Sequence, residues 1–127
     1  MRSCLLLFCI PALLSAQAPR TSRGQVESAG DMLGFCRPIA DASTRGDYVS
    51  LAPTLDTQYC WGAFAALQRS TAVVSGAKRV LNVCTPEESR RTQLVAVFVE
   101  YVGRHPERRH EDWFVVALDA LSAAFPC

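Results

Sequence analysis

The stretch that decides the fold class is Thr85-Pro86-Glu87-Glu88-Ser89-Arg90-Arg91-Thr92-Gln93-Leu94-Val95-Ala96-Val97-Phe98-Val99-Glu100-Tyr101-Val102-Gly103. Thr85 stands where a helix N-cap is expected. Pro86 suits the first helical position, because its missing N–H would be unpaired there anyway. Glu88 completes a capping box, and two acids in the first turn complement the positive end of the helix dipole. The spacing predicts a helix from Pro86 to about Gly103, with Leu94, Phe98, Tyr101 and Val102 on one face. Val95, Val97 and Val99 cover much of the remainder, and only Glu100 interrupts the apolar run. Such a helix is either central or faces a partner on its second side. A strand is the alternative for the Val-rich part, but the capping box and the polar turn beyond it favour a helix.

Working outward, Arg104 to His110 reads as a basic turn. A final helix is expected over Glu111 to Phe125, with Phe114, Leu118, Leu121 and Phe125 as its stripe and Trp113 and Ala117 beside it. Upstream, a longer helix should run from about Thr54 to Val74. Cys60, Phe64, Leu67, Thr71 and Val74 recur at helical spacing, and Leu55, Tyr59, Ala63 and Ala66 widen the face. Gly62 costs helix propensity by about 1 kcal/mol relative to Ala, so it is read as allowing another helix to approach closely. Ser75-Gly76 ends that element, and residues 77–83 form a loop of undetermined shape. Ser28 with Asp31 resembles a weak cap that opens a first short helix through Met32, Leu33 and Phe35. Pro38 disfavours helical backbone at Arg37, which stops this helix near Cys36 and leaves residues 39–53 as a connector. The fold class that results is all-α, a small bundle of about four helices.

Composition fits that picture. The chain has 127 residues, half of them apolar and 20% charged, which permits one domain and excludes a disordered chain. Thirteen basic against twelve acidic side chains leave no surplus for nucleic-acid binding by counterion release. Met1-Arg2 followed by an apolar run from Cys4 to Ala16 reads as a secretory signal, too short to span a bilayer. Residues 1–16 are assigned to it. Ala16-Gln17-Ala18 offers a second cleavage position after Ala18, hindered by Pro19. Residues 17–27 are a polar, flexible lead, and 28–127 the helical domain. After cleavage the product is expected to be exported and soluble, with no membrane association.

The mature chain keeps four cysteines, Cys36, Cys60, Cys84 and Cys127. An even number in a small exported domain reads as two disulfides, and no pair has the close spacing of a structural zinc site. Helices joined by a short turn run antiparallel, so the start of one lies beside the end of the next. Cys84 precedes the third helix and Cys127 follows the fourth. Cys36 closes the first helix and Cys60 lies early in the second. The pairing expected among the three connectivities is therefore Cys36–Cys60 and Cys84–Cys127.

Catalytic chemistry has no positive sign in the sequence. His105, Glu107 and His110 are metal-ligating types, but they lie in an Arg-rich turn that opposes a bound cation. His110-Glu111-Asp112 is better read as a helix start than as an acid–base set. No motif for a cofactor, a phosphate or a nucleophile elbow occurs, so no metal, no cofactor and no enzyme activity are expected. Arg90, Arg91, Arg104, Arg108 and Arg109 are interleaved with acids and read as a mixed charged surface.

Several fragments together carry a family resemblance. Gly34-Phe35-Cys36 and Cys60-Trp61-Gly62 precede Cys84-x-Pro86, Gln93-Leu94-Val95 and Tyr101-Val102. His105-Pro106-Glu107-Arg108, Ala117-Leu118 and Ala124-Phe125-Pro126-Cys127 follow. From about Asp31 to the C-terminus, and most strongly over residues 84–127, the chain resembles the Rap/Tai immunity-protein family. The resemblance implies a small helical periplasmic protein, disulfide-bonded and often dimeric. Named members bind peptidoglycan amidase toxins of type VI secretion and plug the groove that holds the catalytic Cys and His. On that reading the chain is a steric inhibitor, with contacts sought in the loop between the second and third helices at Lys78, Arg79 and Asn82. A periplasmic binding or chaperone-like module without a toxin partner is the alternative. A homodimer is expected from the apolar excess of the third helix.

Overall fold

One helix has every other helix against it, and the rest of the chain is arranged around that contact. The computed structural model describes residues 28–44 and 54–127. Four helices, α1 (Ala29–Thr44), α2 (Leu55–Thr71), α3 (Arg91–Arg104) and α4 (Trp113–Ala124), make the bundle. A minimal antiparallel hairpin, β1 (Val74–Ser75) with β2 (Lys78–Arg79), lies between α2 and α3. A single 3₁₀ turn, Pro106–Arg108, joins α3 to α4. The expected signal and lead, and residues 45–53 of the expected connector, lie outside the described residues.

The central helix is α3, which packs most extensively on α1 and also on α4 and α2. Leu94, Val95, Phe98 and Val102 are fully buried. Its apolar excess is thus used inside the fold. Phe64 of α2 sets its ring 5.5 Å from Phe98 and 6.2 Å from Trp113, so one aromatic side chain joins α2, α3 and α4. Burying a side chain of this size contributes about 1.5–3 kcal/mol.

Both disulfides are those the antiparallel arrangement implied. Cys36–Cys60 staples α1 to α2 with the Cα atoms 5.4 Å apart. Cys84–Cys127 ties the segment before α3 to the chain end after α4, at 5.0 Å. On the loop-entropy model each contributes roughly 3–4 kcal/mol.

The helix starts show how local signals and tertiary contacts divide the work. Thr54 caps α2, its side chain accepting from the Thr57 N–H. At α1 the Ser28 hydroxyl accepts from the Asp31 N–H at 3.1 Å and donates to the Asp31 carboxylate at 2.6 Å. The remaining unpaired donors at that end are met by main chain from the α3–α4 turn. Ala29 N–H donates to Glu111 O and Gly30 N–H to Arg109 O, both at 2.8 Å. A Cβ on Gly30 would sit 3.2 Å from the same Arg109 oxygen, which explains glycine at this close approach.

Several boundaries differ from the sequence expectation. The first helix does not stop near Cys36 but continues through Pro38 to Thr44. Pro38 forfeits a helical hydrogen bond at a cost of about 3 kcal/mol. The break falls on the solvent side, where Gly34, Arg37 and Pro38 are exposed, while Ile39, Ala40 and Ala42 beyond it are buried. That burial, with the staple at Cys36, outweighs the proline.

The third helix begins at Arg91 rather than Pro86, and the Thr85 capping box does not form. The Cys84 N–H donates to Phe125 O at 3.0 Å, and Ser89 is buried with its N–H bonded to Pro86 O. Gln68 Nε2 donates to Ser89 O from α2. Tethered at both ends, residues 85–90 form a turn instead of a helical one. The second helix ends at Thr71, and Val74 lies exposed in the hairpin. Leu55 and Tyr59 are exposed as well, so the buried face is the narrower set Thr57, Cys60, Phe64, Leu67 and Thr71. The open space around Gly62 rules out the expected close helix approach.

The fourth helix starts at Trp113, capped by the Asp112 carboxylate, which accepts from the Phe114 and Val115 N–H groups. Its buried set is Val116, Ala117, Ala120 and Leu121, which keeps Leu121 of the expected stripe and Ala117 beside it and adds Val116 and Ala120. Phe114 is exposed in consequence, and Leu118 and Phe125 are half-buried.

Candidate functional site

The loop between α2 and α3 carries the three residues expected to meet a partner, and each has a distinct setting. Gly76 turns the hairpin with φ of 62°, a backbone conformation that glycine adopts without steric cost. Lys78 is exposed on β2. Arg79 is half-buried and its Nη1 donates to Thr71 O at 3.0 Å, which fixes the hairpin to the end of α2. Asn82 is exposed with φ of 51°, a region that Asn tolerates better than most residues. Its N–H donates to Arg79 O at 3.3 Å. The three are therefore on one short loop, with Arg79 serving its shape.

Sequence reasoning missed the apolar component of this loop. Val73, Val74 and Val80 are 53%, 62% and 57% exposed, and Val80 N–H donates to Val73 O beside the strand pair. Three exposed aliphatic side chains on the hairpin that carries Lys78 give it a mixed apolar and cationic surface. The signal was present as Val73-Val74 and Val80, but helical periodicity assigned Val74 to the interior.

A second surface feature is an open groove of about 410 Å³ between α2 and the start of α4. Tyr59, Gly62, Ala63, Ala66, Trp113 and Phe114 are among its lining residues. It exists because small residues of α2 face the large aromatic pair of α4. Nothing in linear spacing brings those two segments together.

The basic turn is organised around Arg108. Its guanidinium donates to both oxygens of Glu111, to Asp119 at 2.8 Å and to the Tyr101 hydroxyl at 2.8 Å. The hydrogen bonds to Glu111, then Asp119, raise its pKa, and the Arg108 hydrogen bond holds Glu111 below the ordinary carboxylate range. Glu107 is also lowered, first by a backbone hydrogen bond and then by His105, whose Nδ1 lies 3.0 Å from its Oε1. Arg104 pairs with Glu100 one helical turn away, and Arg91 lies over the Trp61 ring at 4.5 Å. These cations are spent on local partners, which makes the charged surface mixed.

Among the described residues no group of three His, Cys, Asp or Glu side chains is placed to hold a metal ion. All four described cysteines are in disulfides. Among the described residues no helix is long and apolar enough to cross a membrane. No curated protein and no solved structure matches the chain. The family model for Rap1a immunity proteins matches residues 9–127, nearly the whole sequence. The four-helix fold, its two disulfides and this match agree, and the chain belongs to the Rap1a immunity protein family, whose members are immunity proteins toward secreted toxins.

Proposed function

We propose that the chain works in the periplasm as the antidote to a peptidoglycan amidase delivered by type VI secretion, without chemistry of its own. It blocks the toxin's catalytic groove by occupying it. The observation that carries the contact surface is the exposed hairpin, which presents Val73, Val74 and Val80 together with Lys78. Exposed aliphatic side chains beside one cation fit a partner surface that is apolar with an acidic rim. The family membership supports a secreted toxin as the partner.

The test is direct. Mature protein mixed with the amidase encoded beside it is expected to form a stoichiometric complex and stop cell-wall hydrolysis. Val74→Asp with Lys78→Glu is expected to weaken the complex at least tenfold while leaving the fold intact. Full hydrolysis in the presence of excess wild-type protein, for every locally encoded amidase, would remove this reading.

A second reading has its own observation. The apolar groove beside Tyr59 and Phe114 suits a periplasmic binding or chaperone-like module, which would suppress aggregation of many clients without tight binding to one. Self-association belongs to the same question. The faces of α3 are taken up by the other helices, so a homodimer would draw on the exposed Leu55, Phe114 and Val115 instead. A strictly monomeric mass at micromolar concentration would exclude it.

A further inference from the structure

The two disulfides differ in the one respect that controls their reduction. Cys36 and Cys60 have no exposed surface and belong to the core cluster with Met32, Phe64 and Phe98. Cys127 is exposed and Cys84 half-buried. Thiol–disulfide exchange requires a thiolate to reach one sulfur along the S–S axis, so its rate depends on access. Cys127 is an exposed residue, on the outside of the bundle. At Cys36–Cys60 the helices must first part.

The exposed bridge also has a mechanical position that the buried one lacks. It holds the C-terminal Phe125-Pro126-Cys127 to the segment that links the hairpin to α3. Once it opens, that link keeps the Cys84 N–H to Phe125 O bond, the buried Val83 and the Gln68 to Ser89 bond. These are enough to keep the segment near its place but not to fix it. The α1–α3 core and its own staple are untouched.

We infer that Cys84–Cys127 is a redox-addressable latch on the hairpin face, opened by dithiols while Cys36–Cys60 stays closed. The step balances with a dithiol as reductant. One thiolate attacks Cys127 Sγ, the Sγ–Sγ bond breaks and Cys84 leaves as thiolate, giving a mixed disulfide. The second thiolate of the reductant then displaces Cys127, closing the reductant's own disulfide. Two electrons pass to the bridge, and two protons end on Cys84 and Cys127. The inference concerns this chain alone and stands apart from the identity of any toxin.

Mature protein treated with graded dithiothreitol, quenched with iodoacetamide and mapped by mass spectrometry reads the order of opening. Cys84 and Cys127 are expected to label at least about tenfold faster than Cys36 and Cys60, the factor that a modest opening penalty at the buried pair implies. Labelling of all four together, or of Cys36 and Cys60 first, overturns it. A Cys84→Ser, Cys127→Ser variant then separates latch from scaffold by amide hydrogen exchange. Faster exchange confined to residues 73–90 and 122–127 is the expected result. Unchanged exchange there, or loss of protection throughout α1 and α3, overturns the inference.

Discussion

Arg108 and Glu111 face each other through two parallel hydrogen bonds, Nε to Oε1 at 2.9 Å and Nη2 to Oε2 at 2.6 Å. The same guanidinium reaches Tyr101 at the end of α3 and Asp119 in the middle of α4. One side chain therefore sets the angle of the α3–α4 turn. A planar fork is needed for this, because an ammonium offers no paired donors in fixed geometry.

Replacing Arg108 with Ala is expected to lower stability by about 1–2 kcal/mol, the range for a partly exposed, multiply bonded cation. Arg108→Lys should recover less than half of the loss. Urea unfolding of the three proteins checks both statements, and equal stability of Lys and Arg would contradict the role of the fork.

Acid should weaken the same junction. The Arg108 hydrogen bond keeps the Glu111 carboxyl below its ordinary value of 4.5. A depressed carboxylate stabilises the fold fully above the pKa of the unfolded chain, about 4.3, and that contribution is lost as pH falls through the folded value. The stability difference between wild type and Glu111→Gln is therefore expected to be largest near neutral pH and to shrink below about pH 4. Thermal melts of both proteins across that range decide it.

The three-helix contact of Phe64 offers a core test. Phe64→Ala removes a fully buried ring that touches both Phe98 and Trp113. A loss of about 3–5 kcal/mol is expected, a large part of the stability of a domain this size. Near-UV circular dichroism should lose its Trp113 contribution before the helices melt.

Gly62 gives a prediction of opposite sign. A Cβ there meets nothing within 4 Å, and the residue lies inside α2. Gly62→Ala should raise stability by about 0.5–1 kcal/mol through helix propensity alone. A drop in melting temperature would restore the close-approach reading of that glycine.

What the sequence discloses about this fold depends on the range of the forces involved. The start of α2 near Thr54, the Ser28–Asp31 pair and the central α3 follow from residues within a few positions of one another, and they were legible. The cysteine pairing was legible too, because antiparallel helices place their ends together. The start of α3 was not. Thr85-Pro86-Glu87-Glu88 carries a strong local helix signal, yet the backbone there is held by Phe125, Gln68 and Cys127, which lie far away in sequence. The face of α4 was read only in part, for a related reason. Ala117 and Ala120 are buried because their small size admits the neighbouring helices, whereas hydrophobicity points to the larger Phe114 and Phe125. Of the candidate site, Lys78, Arg79 and Asn82 were placed on the right loop, but the valines beside them and the groove under Phe114 arise only when distant segments meet.

The main-chain bonds from Ala29 and Gly30 to the α3–α4 turn also give the molecule a polarity. Ser28 lies beside Asp112, where the two segments form an isolated bridge. That corner also adjoins Trp113 and Phe114, which line the groove with α2. A tag or surface tether attached there begins beside the α3–α4 turn, next to that groove. One attached after Cys127 begins next to Cys84, at the hairpin's foot. Immobilising the protein by one terminus or the other therefore poses two different questions to the same partner.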